Sequence, residues 1–145
     1  MTALNVRHVG IVTTNLKKSL NFYRDVLGFK IIKKMKETHP SLSNIMSLKK
    51  TRVTTVKMRS KDNCMIELLS WHSPKSKKKV VCPKLNYVGL THFAITVKNL
   101  EKLHKDLKKK GINFLSPPTL SADKKVKLAF CKSPEGSFIE MVQHL

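Results

Sequence analysis

Apolar and polar positions along this chain follow one pattern that is written twice. The segment "VRHVGIVTTNLKKSLNFYRDVLG", residues 6–28, has a histidine, a short apolar run, an Asn-Leu pair and a helix-like stretch. The segment "GLTHFAITVKNLEKLHKDLKKKG", residues 89–111, repeats it. Aligning His8 on His92, an offset of 84, superposes the shared pattern H-x-x-I-x-x-x-N-L. Such internal similarity predicts that the chain contains the same structural unit twice.

Each copy predicts a strand, a helix and a stop. The residues after the histidine alternate or run apolar for about six positions, as in a strand. Asn15 and Asn99 then offer side-chain oxygens that can cap the free amides of a helix. Leucines follow at helical spacing. Gly28 and Gly111 stand where a left-handed helix terminator is expected.

The second half of each unit predicts a hairpin whose outgoing strand has a glutamate at its centre. "CMIELL", residues 64–69, follows the turn-like Lys-Asp-Asn at 61–63, and "SFIEMV", residues 137–142, follows the turn-like "SPEG". "SLKKTRVTTVKMRS" and "KKVKLAFCKS" precede these turns and predict the incoming strands.

Together these patterns predict an α+β protein of one domain, residues 1–145, built from two tandem β-α-β-β-β modules. The first module covers 5–70 and the second 89–145. A linker at 71–88 is predicted from its two prolines and its lysine run. A length of 145 residues suffices for one domain with its own core.

Composition narrows the possible partners. The apolar content of 41% excludes a disordered or fibrous chain, and no apolar run reaches the roughly 18 residues of a membrane span. The N-terminal stretch is too short and polar for a signal peptide, so we expect a cytoplasmic protein. The net charge of +20 comes mainly from scattered lysines, with only four arginines and without interleaved aromatic residues. This indicates a solvated lysine surface or attraction of small anionic metabolites, and it argues against nucleic-acid binding.

Three cysteines, Cys64, Cys82 and Cys131, form neither a C-x-x-C motif nor an even set. They predict reduced packing residues rather than disulfides or a zinc knuckle.

Each module contributes one histidine at its first strand and one glutamate at its last: His8 and Glu67, then His92 and Glu140. Both glutamates lie in apolar strands, where an unpartnered carboxylate would cost several kcal/mol, so they should be paired, hydrogen-bonded, protonated or bound to metal. Either residue alone would usually be structural. Their recurrence at matched positions favours a shared divalent ion with octahedral geometry and two open positions.

Four further histidines lack such a repeat. His39 precedes a proline, His72 lies in the predicted linker, His104 lies on the second helix and His144 lies near the end. We expect these four at the surface.

At these residues the chain resembles the vicinal oxygen chelate superfamily, which includes glyoxalase I, methylmalonyl-CoA epimerase, fosfomycin-resistance proteins and extradiol dioxygenases. The phrases "HVGIVTTNLKKSLNFYRDVLGF", "MIELLSW", "GLTHFAITVKNL" and "SPEGSFIEMVQ" carry the resemblance. It implies paired modules that form an open mixed-sheet barrel around a metal, which chelates two substrate oxygens. It also implies a homodimer, often with modules exchanged between subunits.

The resemblance implies the following roles. His8, Glu67, His92 and Glu140 would hold a divalent ion of Zn, Ni, Co, Mn or Fe. Glu140 would be the catalytic base, and Glu67 a ligand or a second base. The reaction would be that of a lyase or isomerase, in which an α-proton leaves a small anionic carbonyl or thioester and a metal-chelated enediolate forms.

Two alternatives stay open. An Fe(II) ring-cleaving dioxygenase would use only His8, His92 and Glu140. A ligand-binding or resistance protein of the same fold would have no turnover.

The chain departs from the familiar substrates at two places. Val12 replaces the arginine that holds a glutathione carboxylate in glyoxalase I, and no acid lies between Glu37 and Asp62, where related epimerases have one. Lys50 or Arg52 in that stretch indicates a different anionic group.

Overall fold

The computed structural model describes residues 4–77 and 84–145, which form two compact units, Met1–Lys79 and Val80–Leu145. Cys82 and the middle of the predicted linker, residues 78–83, lie outside the described residues. Each unit contains one four-stranded mixed sheet, and both sheets are curved without closing into a barrel. The predicted α+β class with two β-α-β-β-β modules is confirmed.

The first unit has four strands in the order β1-β4-β3-β2. Its elements are β1 (Val9–Val12), α1 (Leu16–Leu20), a π-helical segment (Asn21–Val26), β2 (Lys30–Glu37), α2 (Pro40–Ile45), β3 (Arg52–Arg59) and β4 (Met65–Ser73). The strands β1 and β4 are parallel, and the other neighbours are antiparallel. The strand β4 extends three residues into the segment predicted as linker.

The second unit repeats this topology in the order β5-β8-β7-β6. Its elements are β5 (His92–Thr96), α3 (Leu100–Lys109), β6 (Thr119–Leu120), β7 (Val126–Lys132) and β8 (Phe138–His144). The equivalence of the two units extends to single hydrogen bonds. The Thr13 amide donates to the Leu69 carbonyl at 2.9 Å, and the Val97 amide donates to the Val142 carbonyl at 2.8 Å.

The helices begin and end as the sequence predicts. The side-chain oxygens of Asn15 and Asn99 each accept an amide hydrogen three residues later, at 3.0 Å. Gly28 and Gly111 both have φ of +78°, the left-handed conformation that ends a helix. Both caps and both terminators are confirmed.

The helices α1 and α3 each pack on one face of their sheet and leave the other face free of helices. In the second unit Leu100 and Leu107 on α3 are almost fully buried, as are Ile139 and Met141 on β8. Burial of one such side chain is worth roughly 1.5–3 kcal/mol. Because side chains alternate along a strand, Glu140 between these two residues points to the opposite face.

Candidate functional site

The first histidine–glutamate pair lies on the helix-free face of the first sheet. The parallel register of β1 and β4 places Gly10 beside Glu67, so His8 and Glu67 share this face. The Nε2 atom of His8 lies 3.3 Å from Oε2 of Glu67. Their side chains are 29% and 13% exposed, so the pair is partly desolvated but reachable from solvent.

The second pair reproduces this arrangement in the second unit. The register of β5 and β8 places Ala94 beside Glu140, and Nε2 of His92 lies 3.4 Å from Oε2 of Glu140. The side chains are 36% and 21% exposed. The predicted juxtaposition of one histidine with one glutamate is therefore found in both units, while the metal roles of the four residues stay predictions.

The spacing within each pair suits two neighbouring ligands of one ion. Donors at about 2.1 Å from a common ion lie about 3.0 Å apart in an octahedral site and about 3.4 Å apart in a tetrahedral one. The observed separations are longer than those of most hydrogen bonds. Imidazole nitrogen with carboxylate oxygen is also a usual donor set for divalent transition metals.

The outer partners of the two histidines differ. The Nδ1 atom of His92 lies 2.9 Å from Oγ1 of Thr91, which matches the second hydrogen bond that ligating histidines usually make. The Nδ1 atom of His8 is buried and has no hydrogen-bond partner among the described residues. Within either described unit no third histidine, cysteine, aspartate or glutamate joins the pair. Each unit alone therefore offers two protein ligands.

The two glutamates face different residues across the sheet. Lys57 on β3 is the register partner of Glu67, and its Nζ lies 3.7 Å from Glu67 Oε1. Phe130 on β7 is the register partner of Glu140, and its ring meets the His92 ring edge-on at 5.2 Å between centroids. The first half-site is therefore charged, and the second is apolar on that side.

Lys57 is the residue that the sequence reasoning missed. The sequence contains a signal for it, which is the predicted turn at Lys61–Asn63. In the structure the amide of Ser60 donates to the carbonyl of Cys64 at 3.0 Å and closes the hairpin around this turn. Counting outward from that turn places Lys57 opposite Glu67. The sequence pattern indicates Lys50 or Arg52 instead.

Lys50 precedes β3 and Arg52 begins it, at the end of the strand away from Lys57, the register partner of Glu67. They line a surface cleft of about 570 Å³ together with hydroxyl and amide side chains of Ser43, Asn44 and Ser73. The anionic group that the sequence indicates for Lys50 or Arg52 stays a prediction. Val12, at the position where glyoxalase I has an arginine, is 49% exposed.

The remaining histidines have local structural roles. His39 accepts the Ser41 amide hydrogen at the start of α2, and the Nε2 atom of His72 lies 2.8 Å from Oγ1 of Thr54. The ring of His104 packs against Phe114 at 4.5 Å. His39, His72 and His144 are exposed as predicted, and His104 is half-buried.

The duplicated fold with a histidine–glutamate pair in each half identifies the class of protein. The chain belongs to the Glyoxalase/Bleomycin resistance protein/Dioxygenase superfamily, which it matches over residues 5–141.

Three relatives illustrate the similarity. Lactoylglutathione lyase of Schizosaccharomyces pombe is 30% identical over 147 aligned residues, which cover 98% of this chain and 48% of that protein. The chain thus spans about half the length of this curated relative. A glyoxalase family protein from Bacillus cereus has a TM-score of 0.90 at 18% identity, with coverage of 100% and 97%. The trypanothione-dependent glyoxalase I of Leishmania major has a TM-score of 0.66 at 21% identity, with coverage of 97% and 87%.

Within residues 4–77 and 84–145, no helix is long and apolar enough to cross a bilayer.

Proposed function

We propose that this chain is a divalent-metal-dependent lyase or isomerase that removes a proton next to the carbonyl of a small anionic carbonyl or thioester metabolite. The observation that carries the proposal is the repeated pair, with an imidazole nitrogen 3.3–3.4 Å from a carboxylate oxygen on the helix-free face of each sheet. Membership of the superfamily supports it, because glyoxalase-type lyases belong there.

The residues of the two pairs would act as the metal ligands: His8, Glu67, His92 and Glu140. When bound, a divalent ion would act as a Lewis acid that lowers the cost of negative charge on the substrate oxygens. This donor set suits Zn, Ni, Co, Mn or Fe. Which of these metals binds depends on their supply in the cell as much as on the donor set.

Glu67 is better suited to binding the metal than to transferring a proton. Its Oε2 atom faces His8 while its Oε1 atom faces the Lys57 ammonium at 3.7 Å. Two contacts from opposite sides fix the carboxylate plane, as outer partners of ligating carboxylates do.

Glu140 is our candidate for the catalytic base. Among the described residues, His92 is the one potentially cationic side chain within ion-pair distance of it. The register partner of Glu140 is the apolar Phe130, so no ammonium restrains this carboxylate from that side. A base must reorient toward the substrate proton, and a positioned base contributes about 10²–10⁴-fold to the rate.

Exchange of the α-proton for deuterium tests this proposal. Metal-free protein is reloaded with Ni²⁺, Co²⁺, Zn²⁺ or Mn²⁺ and incubated in D₂O with a panel of thioesters and hemithioacetals of α-keto aldehydes, and exchange is followed by NMR. We expect metal-dependent exchange that Glu140→Gln slows by at least about 100-fold. The matched control is Glu101→Gln, which removes a half-exposed carboxylate paired with Lys127.

Two results would contradict the proposal. Exchange that persists in Glu140→Gln would remove Glu140 as the base. Exchange that is equally fast in metal-free protein would remove the metal from the reaction.

An Fe(II)-dependent dioxygenase is the second candidate. In this alternative, the Lys57 ammonium would keep Glu67 as its counter-ion outside the metal shell, which would leave His8, His92 and Glu140 as a three-ligand set. Oxygen consumption upon addition of Fe²⁺ and a catechol, retained in Glu67→Gln, would favour this candidate over the lyase. Ligand-induced stabilisation without any turnover would favour a binding protein instead.

The proposal includes a homodimer in the cytoplasm that acts on a small metabolite, without a nucleic-acid or membrane partner. Sedimentation of the purified protein tests the dimer.

A further inference from the structure

Four cationic side chains lie together on the helix-free face of the first sheet, next to Glu67. The antiparallel register of β2 and β3 places Lys33 directly opposite Lys57 and Lys30 directly opposite Arg59. Lys57 and Arg59 share a face because they are two residues apart on one strand. We call these four residues, Lys30, Lys33, Lys57 and Arg59, the cationic quartet.

A β-bulge brings the two lysines of β2 onto this common face. The pairing of β2 with β3 shifts between Ile31 and Lys33, so that one extra residue is inserted in β2. Residues three positions apart, Lys30 and Lys33, therefore both meet partners that are two positions apart on β3. Without the bulge, one of the two would point to the opposite face.

Like charges directly opposite each other on neighbouring strands destabilise a sheet. Here two such pairs are adjacent. Among the described residues, the one ion pair of the quartet is that between Lys57 and Glu67, at 3.7 Å. Glu37, the acidic residue of β2, accepts a hydrogen bond from Thr55 at 2.9 Å instead. The quartet therefore carries positive charge that the described part of the first unit leaves largely unbalanced.

The second unit has no equivalent cluster among its described residues. The register partner of Glu140 is Phe130 where Glu67 has Lys57. Two residues further on, Lys132 takes the place of Arg59, and its ammonium lies over the Phe138 ring at 5.4 Å. The quartet is thus a feature of the first half-site and not of the duplicated fold.

We propose that the cationic quartet is the subsite for an anionic oxygen group, a carboxylate or a phosphate, of the substrate. This proposal rests on the proposed function and specifies its substrate class. Lys57 is the central residue, because it adjoins Glu67 on one side and Lys33 on the other. A group held there would lie beside the His8–Glu67 pair, so the quartet would position the substrate relative to the reacting carbon.

A general role in edge protection does not explain the quartet. The strand β2 lies at the edge of its sheet, where exposed lysines discourage pairing with other chains. Lys57, however, lies on an interior strand and is only 27% exposed. Placing a lysine there costs free energy, because its side chain loses rotamer freedom and part of its hydration. A lysine that only keeps the surface soluble would not bear this cost.

Titration of metal-free protein with malonate, inorganic phosphate and the neutral analogue malonamide tests the subsite by calorimetry. We expect malonate or phosphate to bind and malonamide not to bind. Lys57→Met should weaken anion binding by about tenfold or more, as for loss of a charge-assisted contact. Lys33→Met should weaken it in the same direction.

Two matched controls separate the subsite from general electrostatics. Lys127→Met removes a lysine of similar exposure, 25%, that is ion-paired with Glu101 at 2.9 Å. Lys34→Met removes a lysine on the opposite face of β2, across from Val56. Both controls should bind the anions like the wild type. Equal weakening by Lys57→Met and Lys127→Met, or equal binding of malonate and malonamide, would overturn the proposal.

The failure of this proposal can be told from failure of the proposed function. Lys57-dependent anion binding without metal-dependent exchange would refute the lyase and leave the subsite standing. Where exchange is present, Lys33→Met, which leaves the contact between Lys57 and Glu67 in place, should raise KM for anionic substrates by about tenfold with little change in kcat. Exchange with unchanged KM and unchanged malonate binding would refute the subsite and leave the lyase standing.

Discussion

Glu67 and Glu140 occupy equivalent positions in the two units, yet the residues across the sheet from them differ. An ammonium opposite Glu67 offsets its charge, whereas the ring of Phe130 opposite Glu140 cannot. Where two carboxylates serve one reaction, such differences in surroundings usually divide their roles. This difference supports the proposed roles, in which Glu67 would bind the metal and Glu140 would transfer the proton.

The two described cysteines should react differently with thiol reagents. Burial raises the pKa of the Cys131 thiol to about 12, so this thiol stays protonated at neutral pH, and its side chain is inaccessible. Cys64 is exposed, although a hydrogen bond with Asp62 raises its pKa. After alkylation of the native protein with iodoacetamide at pH 8, peptide mass spectrometry should find label on Cys64 and none on Cys131. Equal labelling of both would contradict the described core.

Gly10 should control access to the first half-site. It is the register partner of Glu67, and a Cβ there would meet only Leu69 Cδ1, at an ordinary 3.5 Å. Gly10→Ala should therefore bind Co²⁺ like the wild type. Gly10→Leu would project a branched side chain beside the His8–Glu67 pair and should weaken Co²⁺ binding, measured by its visible absorption, by about tenfold or more. Similar affinities in both variants would show that the space beside Glu67 is not used.

The contribution of a helix cap to stability can be measured at the start of α3. Asn99→Ala removes the acceptor of the Lys102 amide hydrogen at the start of α3 and should lower the free energy of unfolding by about 1 kcal/mol. Asn99→Ser keeps an acceptor oxygen and should lie within a few tenths of a kcal/mol of the wild type. Urea unfolding monitored by circular dichroism measures both. Equal losses in the two variants would mean that the cap does not stabilise α3.

The sequence predicted those features that depend on local patterns. The cap oxygens of Asn15 and Asn99, the left-handed Gly28 and Gly111, and the turns before β4 and β8 were all readable from single segments. The recurrence of a histidine and a glutamate in both modules indicated that His8 and Glu67 act together, but the parallel register of β1 and β4 brings them side by side. The caps, the terminators and the turns are properties that neighbouring residues determine.

Features that depend on the register between strands were harder to predict from the sequence. The predicted β-α-β-β-β order implied a strand such as β2 but gave no bounds for it, and the bulge after Ile31 has no clear local signal. The cationic quartet depends on that bulge. The short helix α2 and the π-helical segment were not predicted either, because no distinctive pattern separates them from a loop or from a regular helix.

Within residues 4–77 and 84–145, part of the net charge of +20 is concentrated at the cationic quartet. Most lysines are scattered, as the sequence indicates, and they attract anions without selecting among them. The quartet differs because its register concentrates four cations beside a potential metal ligand. Long-range attraction and local selection would then act on the same anionic substrates.

The measurement that tests the central claim most directly is the metal content of the purified protein and of its half-site variants. The claim is that His8, Glu67, His92 and Glu140 hold a single ion, although they are written as two separate pairs. After loading with Zn²⁺ and removal of loosely bound metal, mass spectrometry should find one ion per chain in the wild type. His8→Ala and His92→Ala should each lose most of it. Two ions per chain, each lost only with its own pair, or no retained ion at all, would contradict the claim.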